Sequence, residues 1–318
     1  MPNFADIMIL NIVFILAGIV LVLWGADRLT DGAVALAERM NIPQIVIGLT
    51  IVAMGTSMPE FCVSLVSALK GTPDLAVGNI VGSNIFNALL IVGTAAMVAP
   101  MTILHSTVKK DIPFALVASV VLLMMCMDGD ISRIDAIILL VLFGIFMYAT
   151  LKGAKTENDA VEQLAKQPMN VWKAVGFLLL GLACLIVGSN IFVDGATNVA
   201  HTLGVSDAVI GLTIVAGGTS LPELATSVVS ARKGQSGIAI GNVLGSNVFN
   251  ILAILGITGI ISPMMIQGIT TTDLSVMVVA MIMLWLFSFT KYTIARWEGA
   301  VLAATFIGYL TYLLYQVV

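Results

Sequence analysis

What this sequence lacks is charge. Of 318 residues only 10% are Asp, Glu, Lys or Arg, while 59% are hydrophobic and the mean hydropathy is +1.07. A water-soluble domain carries about a quarter charged residues, so the composition excludes one and defines a polytopic membrane protein. The net charge of −4 then says little about partners. Nothing points to a nucleic acid or to an obligatory protein partner; the surroundings are the lipid bilayer. Histidine is scarce, at two residues, and cysteine at three. Cys62, Cys126 and Cys184 lie far apart inside apolar runs, which gives no disulfide framework and no zinc spacing and leaves packing as their role. There is no nucleophile–base set, no nucleotide motif and no soluble catalytic segment, so neither an enzyme nor a bound cofactor is expected. The first apolar run has no basic flank and no small-residue cleavage site, and reads as a retained helix.

What is there is a series of membrane spans. A spanning helix needs about 20 apolar residues. Ten runs qualify, at 8–25 (with an amphipathic extension to about 40), 44–69, 74–99, 112–127, 132–151, 172–200, 206–231, 237–261, 272–290 and 297–316. The second, third, seventh and eighth are rich in Gly, Ser, Asn and Pro. If both termini lie outside, the inner loops and helix ends hold Arg28, Arg39, Lys109, Lys110, Lys152, Lys155, Lys166, Lys173, Arg232, Lys233, Lys291 and Arg296, and the outside keeps Lys70 and Arg133. Twelve against two is a positive-inside bias that sets the orientation in a cell (inner) membrane. The polar stretch from Lys152 to Pro168 is then a cytoplasmic linker dividing the chain.

The chain also repeats itself. "GLTIVAMGTSMPEFCVSLVSALKGTPDLAVGNIVGSNIFNALLIVG" (48–93) returns as "GLTIVAGGTSLPELATSVVSARKGQSGIAIGNVLGSNVFNILAILG" (211–256), at an offset of 163 without a gap and with 28 of 46 positions identical. The expected organisation is a first five-helix repeat over 1–151, a linker over 152–171 and a second five-helix repeat over 172–318. An odd number of spans inserts the second half upside down. The fold class is therefore an all-α integral membrane protein with ten transmembrane helices as two inverted-topology repeats, the arrangement of secondary transporters with a site at the midplane.

The polar residues of the repeat are the candidate site. Pro59 and Pro222 cannot donate to the carbonyl four residues back, so each helix should open near Gly55 and Gly218. Freed carbonyls are tolerated in a membrane where they line a cavity. Thr56, Ser57, Thr219 and Ser220 add hydroxyls; Glu60 and Glu223 add carboxylates. In the next spans Ser83 and Asn87, and Ser246 and Asn250, fall about one turn apart and share a face. Carboxylates, hydroxyls, amide oxygens and carbonyls, with no thiolate or imidazole, are ligands for hard cations such as Na⁺ and Ca²⁺. A third "GSNIF" at Gly188–Phe192 is out of register with the repeat and reads as coincidence. Asp31 and Asp194 read as helix-end residues near the surface.

"GTSMPE" and "GTSLPE", each followed by "GSN(I/V)FN", resemble the paired alpha-repeats of the sodium/calcium exchangers, in the cation/calcium antiporter superfamily, and the resemblance covers nearly the whole chain. It implies an antiport of the 3 Na⁺: 1 Ca²⁺ type, with Ca²⁺ and Na⁺ as transported substrates. It implies Glu60 and Glu223 at the centre, surrounded by Ser57, Ser220, Thr56, Thr219, Ser83, Ser246, Asn87 and Asn250 and the carbonyls of Ala53 and Ala216. The short linker has no room for the calcium-sensing domains of animal exchangers. Position 250 is Asn where some prokaryotic and potassium-dependent relatives carry Asp, which implies exchange that is electrogenic and K⁺-independent. Proton-type relatives place an extra Glu where this chain has Asn87 and Asn250; a proton-coupled cation antiporter is the alternative reading. A channel is disfavoured, because inverted halves with broken helices point to alternating access rather than to a pore ring.

Overall fold

The computed structural model describes residues 4–156, 169–205, 207–266 and 268–317, so most of the expected cytoplasmic linker lies outside the described residues. The chain is helical almost throughout. Helix α1 runs over Phe4–Met40, followed by α2, Gln44–Thr56, and α3, Met58–Leu69. Then come α4, Pro73–Val98, and α5, Thr107–Asp128. Helix α6 covers Arg133–Thr156 and α7 Val171–Thr202. The second half continues with α8 over 207–219, α9, Leu221–Arg232, and α10, Ser236–Ile261. It closes with α11, Thr271–Ser288, and α12, Arg296–Val317.

Among the described residues eight helices are long and apolar enough to cross a membrane, and the pair α2 and α3, bent by 47° at its break, makes a ninth. The run expected at 206–231 is present as α8 and α9, each shorter than a span. Helix α1 is one continuous helix that reaches Met40, as far as the expected extension. Helix α5 starts at Thr107 instead of 112, through a π-helical turn over Thr107–Asp111 that exposes Lys109 and Lys110 where a basic first turn meets the membrane surface.

Helix ends follow their sequence signals. Asn170 caps α7 by accepting from the Trp172 N–H at 2.9 Å. Thr270 and Asp273 form a reciprocal capping box on α11. Each such cap stabilises its helix by about 1 kcal/mol. Two short antiparallel strand pairs tie the loops across the halves: β1, Met101–Thr102, with β4, Thr293–Ile294, and β2, Asp130–Ile131, with β3, Met264–Met265. Met101 faces Ile294 and Ile131 faces Met264. Met101 and Met264, and likewise Ile131 and Ile294, are 163 residues apart, so the repeat exchanges the two pairs and is also a pseudo-twofold in space.

Helices α4 and α10 are the most enclosed, and the principal buried apolar cluster is built around them. Helices α1 and α7 pack along one another on glycines spaced seven apart. A Cβ on Gly18 would sit 2.8 Å from the Gly188 carbonyl, and one on Gly25 2.8 Å from the Gly181 carbonyl. Gly188 of the out-of-register "GSNIF" thus serves helix packing, and Ser189 bonds the Ile186 carbonyl of its own helix. Large apolar side chains on the outer faces of α1, α6 and α12 are exposed, as lipid contact requires.

Candidate cation site

The site lies where the two broken helices meet the two central ones. The break in α2–α3 falls on Ser57 (φ −83°, ψ 9°), and that in α8–α9 on Ser220 (φ −87°, ψ 7°). Both are two residues beyond the glycines where opening was expected. The cause is that each proline occupies the first turn of the following helix, where no intrahelical donor is needed and its fixed φ fits. The chain restarts there, and the residue left between helices is the serine. About one turn before each break the helix widens into a π-helical turn, over Gly48–Val52 and Gly211–Val215. Helices α4 and α10 carry the same feature at Phe86–Ile91 and Phe249–Ile254, which puts Asn87 and Asn250 inside widened turns. Such turns re-aim side chains and concentrate at functional sites.

The two carboxylates are fully buried and held crosswise. Ser57 donates to Glu223 Oε1 at 2.7 Å, and Ser220 donates to Glu60 Oε1 at 2.9 Å. Each half therefore supplies the hydroxyl that orients the other half's carboxylate. Ser83 lies 3.2 Å from Ser220 Oγ, and Ser246 3.5 Å from Glu223 Oε1. The second oxygen of each carboxylate, Oε2, is buried without a partner. So are Asn87 Oδ1 and both amide atoms of Asn250. Asn87 donates to Asn247 Oδ1 at 3.0 Å, so it links helices and still leaves its own oxygen free. Buried polar atoms without partners are costly and rare, and buried carboxylates more so. Here they recur in register in both halves, and a cation with flexible oxygen coordination would satisfy them. Among the described residues no three His, Cys, Asp or Glu side chains cluster, so two carboxylates with neutral oxygens are the donor set.

Hydrogen bonds bring together Glu60, Glu223, Ser57, Ser220, Ser83 and Ser246, with Thr56 and Ala53 beside them, all buried, while Asn87 and Asn250 are buried on α4 and α10 with no bond to the carboxylates among the described residues. Thr219 and Ala216 are less enclosed: Ala216 is exposed, and the half-buried Thr219 hydroxyl donates to the Ala216 carbonyl at 3.2 Å while lying within reach of the Glu60 carboxylate. Sequence reasoning missed Asn79 and Asn242. Each donates its amide to the backbone carbonyl of the glutamate in its own half at 3.2 Å and to Ser64 or Ser227 at 3.0 Å. Their signal was present, since Asn79, Ser83 and Asn87 are spaced by four. Asp31 lies within α1 rather than at its end and contacts Lys233 Nζ at 2.7 Å.

Buried carboxylates from two halves, cross-oriented at helix breaks deep in a membrane-spanning bundle, define a transporter of cations. The profile of the family described as sodium/calcium exchanger protein matches residues 10–152 and 173–315. The chain belongs to the sodium/calcium exchanger family, whose members are transporters and not enzymes. It is 40% identical to the putative antiporter CaxA of Alkalimonas amylolytica, over 97% of this chain and 100% of that one. It is 39% identical to the inner membrane protein YrbG of Escherichia coli, over 96% of this chain and 97% of that one. Its fold matches the solved sodium-calcium exchanger NCX_Mj with a TM-score of 0.83 and 33% identity, covering 94% of this chain and 97% of that one. The protein is a multi-pass membrane protein and a cation antiporter.

Proposed function

We propose that this antiporter exchanges Na⁺ for Ca²⁺ by alternating access, electrogenically and without K⁺. The observation that carries the reading is the pair of cross-bonded glutamates, each with one buried oxygen unpartnered. Two carboxylates match one Ca²⁺ in charge; with Asn at 87 and 250 no third carboxylate invites a further cation such as K⁺. The ligands are Glu60 and Glu223, with Ser57, Ser220, Thr56, Thr219, Ser83, Ser246, Asn87, Asn250 and the carbonyls of Ala53 and Ala216 completing the sites for Na⁺ and Ca²⁺ in turn.

The ten spans form two inverted five-helix units, residues 1–151 and 172–318, joined by the cytoplasmic linker 152–171. The pseudo-twofold of the strand pairs supports this arrangement. Both termini lie outside in a cell (inner) membrane, on the strength of the basic residues. Helix α8 then lines the outer half, and the exposure of Ala216 supports a state open to the exterior. Acid inhibits exchange, because a proton on either glutamate removes charge that Ca²⁺ requires.

The test is calcium-45 uptake into K⁺-free proteoliposomes with an imposed sodium gradient, an imposed proton gradient, and the membrane potential set independently. Sodium-driven, potential-sensitive uptake is expected. Uptake driven by protons and not by sodium would assign the proton-coupled reading instead, and insensitivity to potential would refute electrogenic exchange.

A further inference from the structure

Asn79 and Asn242 occupy the same place in the two repeats and share two hydrogen bonds, to which Asn242 adds a third. Asn242 donates its amide to the Glu223 carbonyl at 3.2 Å and to Ser227 Oγ at 3.0 Å. Asn79 donates to the Glu60 carbonyl at 3.2 Å and to Ser64 Oγ at 3.0 Å. A backbone carbonyl only accepts, so each amide is fixed with its NH₂ toward the glutamate's helix and its Oδ1 turned away. For Asn242 that oxygen accepts the hydroxyl of Thr56 at 3.0 Å. This bond ties the end of α2, just before its break, to α10. The counterpart hydroxyl is that of Thr219 at the end of α8. Both hydroxyls reach a carbonyl of their own helix, Thr56 that of Ala53 at 3.3 Å and Thr219 that of Ala216 at 3.2 Å, but among the described residues Thr219 makes no bond to Asn79. Asn242 is fully buried and Asn79 half-buried. Val52 of α2 is 0% exposed, whereas its repeat partner Val215 of α8 is 43% exposed.

We propose that Asn79 and Asn242 are positioning residues that hold the two broken helices shut. Asn242 holds α2 through Thr56 in the observed state, and Asn79 accepts the hydroxyl of Thr219 when α8 closes over a bound cation. The inference rests on the exchange reading given above and adds to it the pair of residues that seals the open side. Asn79 is suited to the task because its amide is already oriented by Glu60's own helix, so an acceptor stands in place before α8 arrives. The same amide links the seal to the backbone of the residue whose carboxylate binds the ion.

The test uses the full-length chain with Cys62, Cys126 and Cys184 replaced by Ala and a reporter Val215→Cys, labelled by a membrane-impermeant thiol reagent. Calcium-45 binding sets a Ca²⁺ concentration that saturates each variant. In the parent, saturating Ca²⁺ should slow labelling. Asn79→Ala at equal occupancy should lose about fivefold to tenfold of that protection, the factor one neutral hydrogen bond supplies. Thr219→Val should lose as much, Thr219→Ser should keep it, and the double variant Asn79→Ala with Thr219→Val should lose no more than either single one. Protection retained in Asn79→Ala, or losses that add in the double variant, would overturn the proposal. A parent that binds no Ca²⁺ would instead defeat the exchange reading on which it rests. If Asn79→Ala abolishes Ca²⁺ binding itself, Asn79 is a ligand rather than a positioning residue, and the proposal falls as well.

Discussion

Helices α2 and α8 carry the same pentapeptide, GLTIV, and run into the same Gly-Thr-Ser, yet they pack differently. Helix α2 is clamped on α10. A Cβ on Gly48 would lie 2.9 Å from the Gly241 Cα, and a Cβ on Gly245 would lie 2.5 Å from the Leu49 carbonyl. The counterparts of Gly241 and Gly245 on α4 are Gly78 and Gly82. A Cβ on Gly78 would meet only the end of the Ile269 side chain, and one on Gly82 would meet nothing within 4 Å. The glycines that allow backbone-to-backbone closure are present on both sides and used on one. Near-identical sequence therefore encodes two packings. The proposed alternating access would use both packings in turn, one interface closed while the other is open.

The largest effect should come from the shared centre, where the comparison predicts no difference between halves. Glu60→Gln and Glu223→Gln each keep shape and remove one of two formal charges. Either alone should reduce calcium-45 exchange to background, a loss of at least about a hundredfold at about 1.4 kcal/mol per tenfold, while protein yield survives. Near-normal exchange in either variant would remove that glutamate from the site.

The glycines should separate the halves more sharply. Gly245→Ala places its methyl against the Leu49 backbone, which cannot yield, so α2 and α10 must part at a cost of about 1–3 kcal/mol. The melting temperature in detergent should fall by a few degrees. Gly82→Ala meets open space in this state and should leave the melting temperature unchanged. It should still slow exchange, because the opposite closure needs the room that Gly82 leaves. Equal thermal effects, or full activity in Gly82→Ala, would show that the two interfaces do not mirror each other.

How much of this was legible beforehand depended on whether the information was local. Hydropathy carried the helices, and the repeat carried the pairing of Glu60 with Glu223, because both are patterns of neighbours along the chain. The serine breaks were misplaced by two residues, since the proline rule marks the missing hydrogen bond and not the residue on which the chain pivots. The widened turns around Asn87 and Asn250 left no mark in the sequence; a π turn is an insertion relative to a neighbour, visible only in space. Asn79 and Asn242 stand four residues before Ser83 and Ser246, a spacing that places them on the site face, so their signal was local and present. Nothing in "GLTIV" distinguishes a clamped helix from a free one.

A smaller contrast sits one residue before the Gly-Thr-Ser. Met54 and Gly217 are repeat partners. A Cβ at Gly217 would touch only the Phe86 ring, at 3.6 Å, so a side chain fits while α8 is open. Its bulk would occupy space through which α8 moves, and the glycine's backbone freedom would be lost. Gly217→Met should therefore slow exchange several-fold and by more than Met54→Gly does. The reverse order in initial rates would count against α8 as the moving element.

The smallest effect should lie at the helix ends around Lys233, on the proposed inner side. Lys233, just after α9, contacts Asp27 and Asp31 of α1 at 2.5 and 2.7 Å and donates to the Asp27 carbonyl at 3.1 Å; Thr30 and Ser230 lie 2.9 Å apart beside it. The repeat partners of Lys233 and Asp31 are Lys70 and Asp194, and Lys70 is exposed with no ion pair among the described residues. Thr30 corresponds to Val193, which has no hydroxyl, and Asp27 to neutral Asn190. The tie of α1 to α9 is thus richer than any that α7 can make to α3. The groups are about one-third exposed, so the tie contributes at most about 1 kcal/mol after screening. Its loss in Lys233→Gln would shift the balance of outer-open and inner-open states by about fivefold at most. Labelling of Val215→Cys without cation should slow by up to that factor in Lys233→Gln and stay unchanged in Lys70→Gln. Equal effects of the two substitutions would show that the charge cluster serves general stability and does not favour one state.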